Sequence, residues 1–274
     1  MKFLEFWRRE ADRFQAIVFD IDGTLLRGPH QLPGAAELLG EVRLQKKPLF
    51  FLTNDGDHTL EQKCSFLVRA GLTARPDEII NCLSGLESQA KKHDWVGRTF
   101  FAAGELGELE RVSCVKLERD LGRLEHCAGV ILSEGVYDWR VNWEAIVNFF
   151  RRHPERLFIV PNPDGYWPSP ASGIFGIGAG GQARCIQLIL KEMGVEIEPI
   201  YLGKPHAAIY EHTLYELKCR FGVEPEPECI LMLGDSLASD VRGANRAGFT
   251  SALVLTGITT PEMAAAADGE FRPG

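Results

Sequence analysis

Short apolar runs rich in β-branched and aromatic residues alternate along this chain with stretches of helical periodicity, and the runs break off into polar, glycine-bearing segments. Ala16 to Phe19 leads into FDIDG, Pro48 to Leu52 into LTND, Ile200 to Leu202 into LGKP, Cys229 to Leu233 into LGDS, and Ser251 to Leu255 into LTG. Helical patterns fall between them, over about 34–46, 207–221 and 239–247. Such alternation predicts an α/β fold with a doubly wound, mostly parallel, Rossmann-like core sheet, because parallel neighbours need right-handed crossover helices. Open sheets of this kind bind ligands beyond the carboxyl ends of their strands, so the separated polar segments are expected to converge on one crevice.

A further set of α/β units lies within the chain: a helix over about 83–93, strands near 99–103, 112–116 and 128–132, a helix over about 143–152 and a strand at 158–160. This stretch of roughly 120 residues has the size of a domain. Strands on either side of it belong to one sheet, so the expected organisation is a core of residues 1–78 and 198–274 with an inserted α/β cap at 79–197. Its hinges are expected near Arg75 to Ile79 and Gly194 to Pro199, and a domain inserted over strand ends can act as a lid.

Composition removes several classes. At 45% hydrophobic and 25% charged the chain is of globular type, and a net charge of −8 would repel a phosphate backbone, which argues against nucleic acid as a partner. Nowhere do about 18 apolar residues run together, so no membrane association is expected. The seven cysteines are scattered without a C-x-x-C pair, which predicts a reduced, cytoplasmic protein. Charged residues from Glu5 to Glu10 interrupt the opening segment, unlike a secretory signal, while Phe3, Trp7, Ala11 and Phe14 share one helical face. That predicts a short amphipathic helix packed at an edge. A homodimer stays open, with this helix and the cap as its surfaces.

Asp20 and Asp22 stand two residues apart at the end of the first strand, where i and i+2 side chains share a face. Two close carboxylates are costly unless a cation neutralises them or one is protonated, and both conditions serve catalysis. Gly23 permits a sharp turn and Thr24 can tie it down. Taken alone the segment also reads as a solvated turn. It is not an EF-hand loop, since the twelfth position from Asp20 is Gln31. Asp235 and Asp240, in LGDSLASD, add hard oxygen ligands suited to Mg²⁺. Thr53 and Asn54 contribute a hydroxyl and an amide, and Lys204 a point charge. Together these groups suit a tetrahedral dianion beside a metal.

With FDIDGTLL, LTN, GKP and LGDSLASD in this order, the chain resembles the haloacid dehalogenase superfamily of phosphotransferases. The place of the insert, and Asn162-Pro163-Asp164 within it, are similar to the NagD-like branch with an α/β cap. The resemblance implies that Asp20 is the nucleophile that forms an aspartyl-phosphate and that Asp22 protonates the leaving oxygen and then takes a proton from water. It further implies Mg²⁺ held by Asp20, the backbone carbonyl of Asp22 and Asp235, with Asp240 holding one of the metal's waters or orienting Lys204. Thr53, Asn54 and Lys204 would hold phosphoryl oxygens. Members that cleave carbon–halogen bonds lack the second aspartate, so Asp22 implies an oxygen ester. The implied activity is Mg²⁺-dependent hydrolysis of a small phosphorylated metabolite, such as a sugar phosphate or nucleotide. Two other readings stay open: a phosphomutase on the same fold, and a non-catalytic regulatory protein that binds a phosphometabolite. The sequence departs from the branch at Asp55, where asparagine is common. It also ends at FRPG, where relatives continue into one more strand and helix, so a trimmed sheet edge or a shortened sequence is expected.

Gly176, Gly178 and Gly181 match G-x-G-x-x-G, but residues 168–173 before them read as loop, so a dinucleotide site is not expected. The glycines are expected instead to let a return loop of the cap pass close to the active site. Pro161 to Pro170 is turn-rich yet carries Tyr166 and Trp167; it is read as a cap loop that helps choose the leaving group, with Asp164 and Tyr166 as specificity residues. The seven histidines lack zinc-site spacing, and neither a G-x-S-x-G nor a P-loop occurs.

Overall fold

The computed structural model describes residues 3–109, 112–169 and 174–274. It divides into two compact units, one formed by the chain up to Thr53 with Leu60–Asn81 and Lys204–Gly274, the other by Asn54–Thr59 with Cys82–Gly203.

The first unit begins with α1 (Phe3–Glu10) and β1 (Ala16–Phe19), followed by a small antiparallel ladder of β2 (Leu26–Arg27) and β3 (His30–Gln31). Then come α2 (Ala35–Leu44), β4 (Leu49–Thr53), α3 (Leu60–Arg69) and β5 (Ile79–Asn81). In the second unit the order is α4 (Leu86–Lys92), β6 (Thr99–Ala103), β7 (Lys116–Glu118), β8 (Gly129–Leu132), α5 (Trp139–Arg152) and β9 (Leu157–Val160). The hairpin β10 (Tyr166–Ser169) and β11 (Ile174–Ile177) follows, then α6 (Ala179–Glu192) and β12 (Ile200–Tyr201). The chain returns to the first unit with α7 (Ala207–Phe221), β13 (Ile230–Gly234), α8 (Arg242–Arg246), β14 (Thr250–Leu253) and α9 (Pro261–Ala265).

In the first unit five parallel strands lie in the order β14-β13-β1-β4-β5. Alternate side chains of β1 serve opposite faces, which explains why the run is apolar throughout. Ile17 and Phe19 join Trp7, Phe14, Leu39, Val42 and Phe51, whereas Ala16 and Val18 join Phe50, Ile209, Tyr210 and Met232. The amphipathic face of α1 is anchored by Trp7, which is fully buried and stacked on Phe14. Burying a side chain of this kind contributes on the order of 2–3 kcal/mol, enough to fix a short helix that would not hold alone.

The second unit carries its own parallel sheet, β12-β9-β8-β6-β7, with Phe149 and Phe150 of α5 and Ile186 and Leu190 of α6 packed on Val130, Leu132 and Phe158. Two short strands fall differently from the sequence reading. Ile79–Asn81 extends the first unit's sheet by pairing with β4, and Ile200–Tyr201 closes the second unit's sheet by pairing with β9 rather than standing in the core. A two-residue apolar run carries no information about which sheet will accept it. The strand expected at 112–116 lies at Lys116–Glu118, and the second half of the 161–170 loop is strand β10. Pro170, at the end of that loop, lies with residues 171–173 outside the described residues.

The glycine motif has a structural explanation. A strand does precede it, but in an antiparallel hairpin, not in a βαβ unit. Gly178 and Gly180 instead bring the start of α6 onto the loop at 163–165: a Cβ on Gly180 would lie 2.0 Å from the Pro163 carbonyl oxygen, and one on Gly178 would lie 2.3 Å from that of Asp164. Among the described residues no helix is long and apolar enough to cross a membrane.

Candidate active site

Asp20 follows β1 directly and its backbone N–H donates to Leu233 O at 2.8 Å, so the ladder with β13 fixes where its side chain leaves the sheet. The carboxylate is buried and fully engaged: Oδ1 accepts from Lys204 Nζ at 2.6 Å and Oδ2 from Thr24 Oγ1 at 2.9 Å. Lys204 is buried as well, and it also donates to Asp240 Oδ1 at 2.7 Å and to Leu52 O at 3.0 Å. Acceptors from three separate segments around one ammonium fix its direction. Asp240 in turn accepts from the backbone N–H groups of Asp235 and Ser236 at 3.1 and 3.0 Å through Oδ2. The turn after β13 and its first helical residues are thereby tied to the lysine.

Asp20, Asp235 and Asp240 each present an oxygen within 4.8 Å of the others, all three side chains being buried. Burial pushes the Asp20 carboxyl well above its ordinary range; Lys204 opposes this, while Asp240 and Asp235 add to it. Burial, then the charge of Asp240, pushes Asp235 up to about 7. Burial works against the charge on Lys204, yet Asp20 and Asp240 outweigh it and hold the ammonium well above the usual lysine value. Three carboxylates against one ammonium leave a surplus of negative charge out of water, and all the donors are hard oxygens. This set fits Mg²⁺. The backbone keeps the place clear: a Cβ on Gly23 would stand 2.4 Å from Asp235 Oδ2, and one on Gly257 only 1.7 Å from the same atom. Gly23 has φ +89°, which a side chain would also disfavour.

Asp22 is not part of this bonded cluster. Its side chain is 60% exposed and Oδ2 accepts from Lys63 Nζ at 2.7 Å. Lys63 comes from α3 and was not singled out by the sequence reading. Leu60, Lys63, Cys64 and Leu67 have the i, i+3, i+4, i+7 spacing of an apolar stripe, so a lysine within it is a detectable signal. Thr53 is buried at the carboxyl end of β4.

Asn54 follows Thr53 in the chain and is counted with the second unit. There its Nδ2 donates to Asp164 Oδ2 at 3.1 Å, the Asp164 N–H donates to Asn162 Oδ1 at 2.9 Å, and Asn162 Nδ2 donates to Glu134 Oε1 at 2.7 Å. Asp55, the departure from the branch pattern, accepts from the N–H groups of Asp57 and His58 at 3.2 Å and meets His58 Nδ1 at 3.0 Å. It closes a local turn. Glu134 and Asp57, also missed from sequence, are pushed up to about 7 and about 6, each mainly by burial and then by a neighbouring carboxylate. Tyr166 is exposed on β10 and meets Phe175 edge to face at 5.4 Å.

The family model for haloacid dehalogenase-like hydrolases matches residues 17–118, and a second model of the same kind, HAD-hydrolase-like, matches 201–273. The acid sugar phosphatase of Staphylococcus epidermidis is 25% identical over 252 residues, spanning 91% of this chain and 89% of that protein. NagD from Escherichia coli superimposes with a TM-score of 0.77 over 95% of this chain and 94% of its own, at 22% identity. The chain belongs to the haloacid dehalogenase-like hydrolases. It shares its fold with NagD. A glycerol phosphate phosphatase from Mycobacterium tuberculosis, solved in complex with magnesium, shares the fold with a TM-score of 0.79 and 22% identity, over 96% of this chain and 74% of that one.

Proposed function

We propose that this member of the family is a Mg²⁺-dependent phosphatase that hydrolyses a small phosphate monoester through an aspartyl-phosphate on Asp20. The observation that carries the reading is the Asp20 carboxylate, fixed at a strand end by Lys204 and Thr24 beside the carboxylates of Asp235 and Asp240. Asp20, Asp235 and the Asp22 backbone carbonyl would hold the metal, which when bound supplies the positive charge that lets an anionic nucleophile approach an anionic substrate. Asp20 attacks phosphorus in line as the ester P–O bond breaks, and Asp22 passes a proton to the leaving oxygen. A water then attacks the phosphoryl group on Asp20 and gives its proton to Asp22, returning both carboxylates to their starting states. Lys204, Thr53 and Asn54 are assigned to the phosphoryl oxygens, and Asp164 and Tyr166 to recognition of the leaving group. That seven relevant thiols are all free supports a reducing, cytoplasmic setting.

The test is phosphate release from a panel of sugar phosphates, nucleotides and other small monoesters, with Mg²⁺ and with chelator, for wild type and Asp20→Asn. Release that needs the metal and is lost in the variant is expected. A folded wild type that releases no phosphate from any of them would overturn the reading, and isomerised product without free phosphate would replace it with a mutase.

A further inference from the structure

Lys63 occupies a place that an apolar residue would fill at lower cost. It stands on the α3 stripe between Leu60 and Leu67, next to buried Cys64, and its side chain is 8% exposed. Taking an ammonium out of water is unfavourable without compensation, and here a carboxylate lies 2.7 Å from it. The carboxylate is the more exposed partner, so the pair does not exist to shelter Asp22 from water. What Asp22 lacks is a fixed direction. Its backbone is held by the turn that follows β1: Gly23 N donates to Leu26 O at 2.7 Å, and Leu25 N and Leu26 N both donate to Ile21 O at 2.9 Å. An exposed carboxylate on such a turn is still free to occupy several rotamers. Bonding of Oδ2 to a lysine anchored in the helix selects one of them and leaves Oδ1 for other work.

We propose that Lys63 is a positioning residue that holds Asp22 in the orientation from which it passes a proton to the leaving oxygen. This rests on the phosphatase reading above. In the step concerned the bond between phosphorus and the leaving oxygen breaks, the electron pair stays on that oxygen, and the proton comes from Asp22. Lys63 keeps its own protons throughout.

The role predicts a dependence on the leaving group. A nitrophenolate departs without needing a proton, whereas the alkoxide of an alkyl phosphate does not, so misplacing the acid should penalise the second far more. Lys63→Met and Lys63→Arg are therefore compared with wild type on para-nitrophenyl phosphate and glycerol phosphate, by kcat/KM, which reports steps up to departure of the leaving group. The ratio of the alkyl to the aryl value is read for each protein, so that any unfolded fraction cancels. In Lys63→Met this ratio is expected to fall about tenfold or more, part of the 10²–10⁴-fold that general acids typically supply. In Lys63→Arg, which keeps a cation in reach, it should return to within about threefold of wild type. An unchanged ratio would give Lys63 a structural part only, and a raised ratio would mean that it holds Asp22 away from its work; either overturns the proposal. A wild type inactive on both substrates and on the wider panel would instead remove the phosphatase reading itself.

Discussion

Carboxylates brought together out of water need a cation, a proton or a set of donors, and the two acid-rich regions of this chain meet that need differently. Around Asp20 the answer is Lys204, Thr24 and a place for a divalent cation. In the second unit Glu134 has Asn162 on one oxygen, and its other oxygen is buried without a hydrogen bond. Its carboxyl is pushed up to about 7, first by burial and then by Asp57. The folded state therefore keeps a proton that the unfolded chain gives up near the ordinary glutamate value. The stabilisation is complete below that value and is lost as pH rises through about 7. Glu134→Gln should remove the decline, leaving the variant more stable than wild type by about 3 kcal/mol at about pH 8 and little changed at about pH 4. Urea unfolding at the two pH values checks this, and a variant with the wild-type slope would refute it. Asp20, Lys204, Asp235 and Asp240 were legible in the sequence because each sits at or just beyond the end of an apolar run. Glu134 and Lys63 were not singled out: the first owes its burial to tertiary packing, and the second fits a helical spacing that an exposed lysine could share.

Among the elements, fully buried strands such as β1, β4 and β13 announce themselves as unbroken apolar runs, and the sequence reading found them. Strand β10 hid behind turn-forming residues. Pro168 pairs opposite Phe175 in a ladder of only two strands, where a missing N–H is tolerated at an open edge. Of the glycines around the start of α6, Gly176, Gly178 and Gly181 are legible as a motif that permits close backbone approach, expected there toward the active site, whereas Gly180 carries no motif signal. Their purpose here is packing: Gly180→Ala would force a methyl group onto the Pro163 carbonyl and should destabilise the protein by about 1–3 kcal/mol. Gly40→Ala, in the interior of α2 with nothing within 4 Å of the new methyl group, should stabilise by about 0.5–1 kcal/mol. Denaturant midpoints of the two variants, moving in opposite directions from wild type, are the expected result. A Gly180→Ala protein as stable as wild type would remove the packing explanation.

At the scale of the whole molecule, a sheet interrupted by an inserted unit brings residues from distant parts of the sequence to neighbouring strand ends. Lys204 lies 184 residues from Asp20 in sequence, yet bonds to it directly. That discontinuity was legible because strands with the same kind of polar ending recur on both sides of the insert. The limits of the units were less so: residues 54–59 leave the first unit for the second, and Ile79–Asn81 stays with the first. Assignment of such short segments depends on which sheet edge is within reach, a property of the folded chain. The placement of Asp20 at the centre of the bonded cluster leads to the claim on which the rest depends, that this carboxylate carries the phosphoryl group during turnover. The direct test is to quench the enzyme with acid while it turns over its best monoester with Mg²⁺, reduce acyl phosphates with borohydride, and sequence the peptide by mass spectrometry. Conversion of Asp20 to homoserine, in wild type with substrate and not without it, is the predicted result. Rapid turnover with an unmodified Asp20, or modification at another residue, would contradict the account.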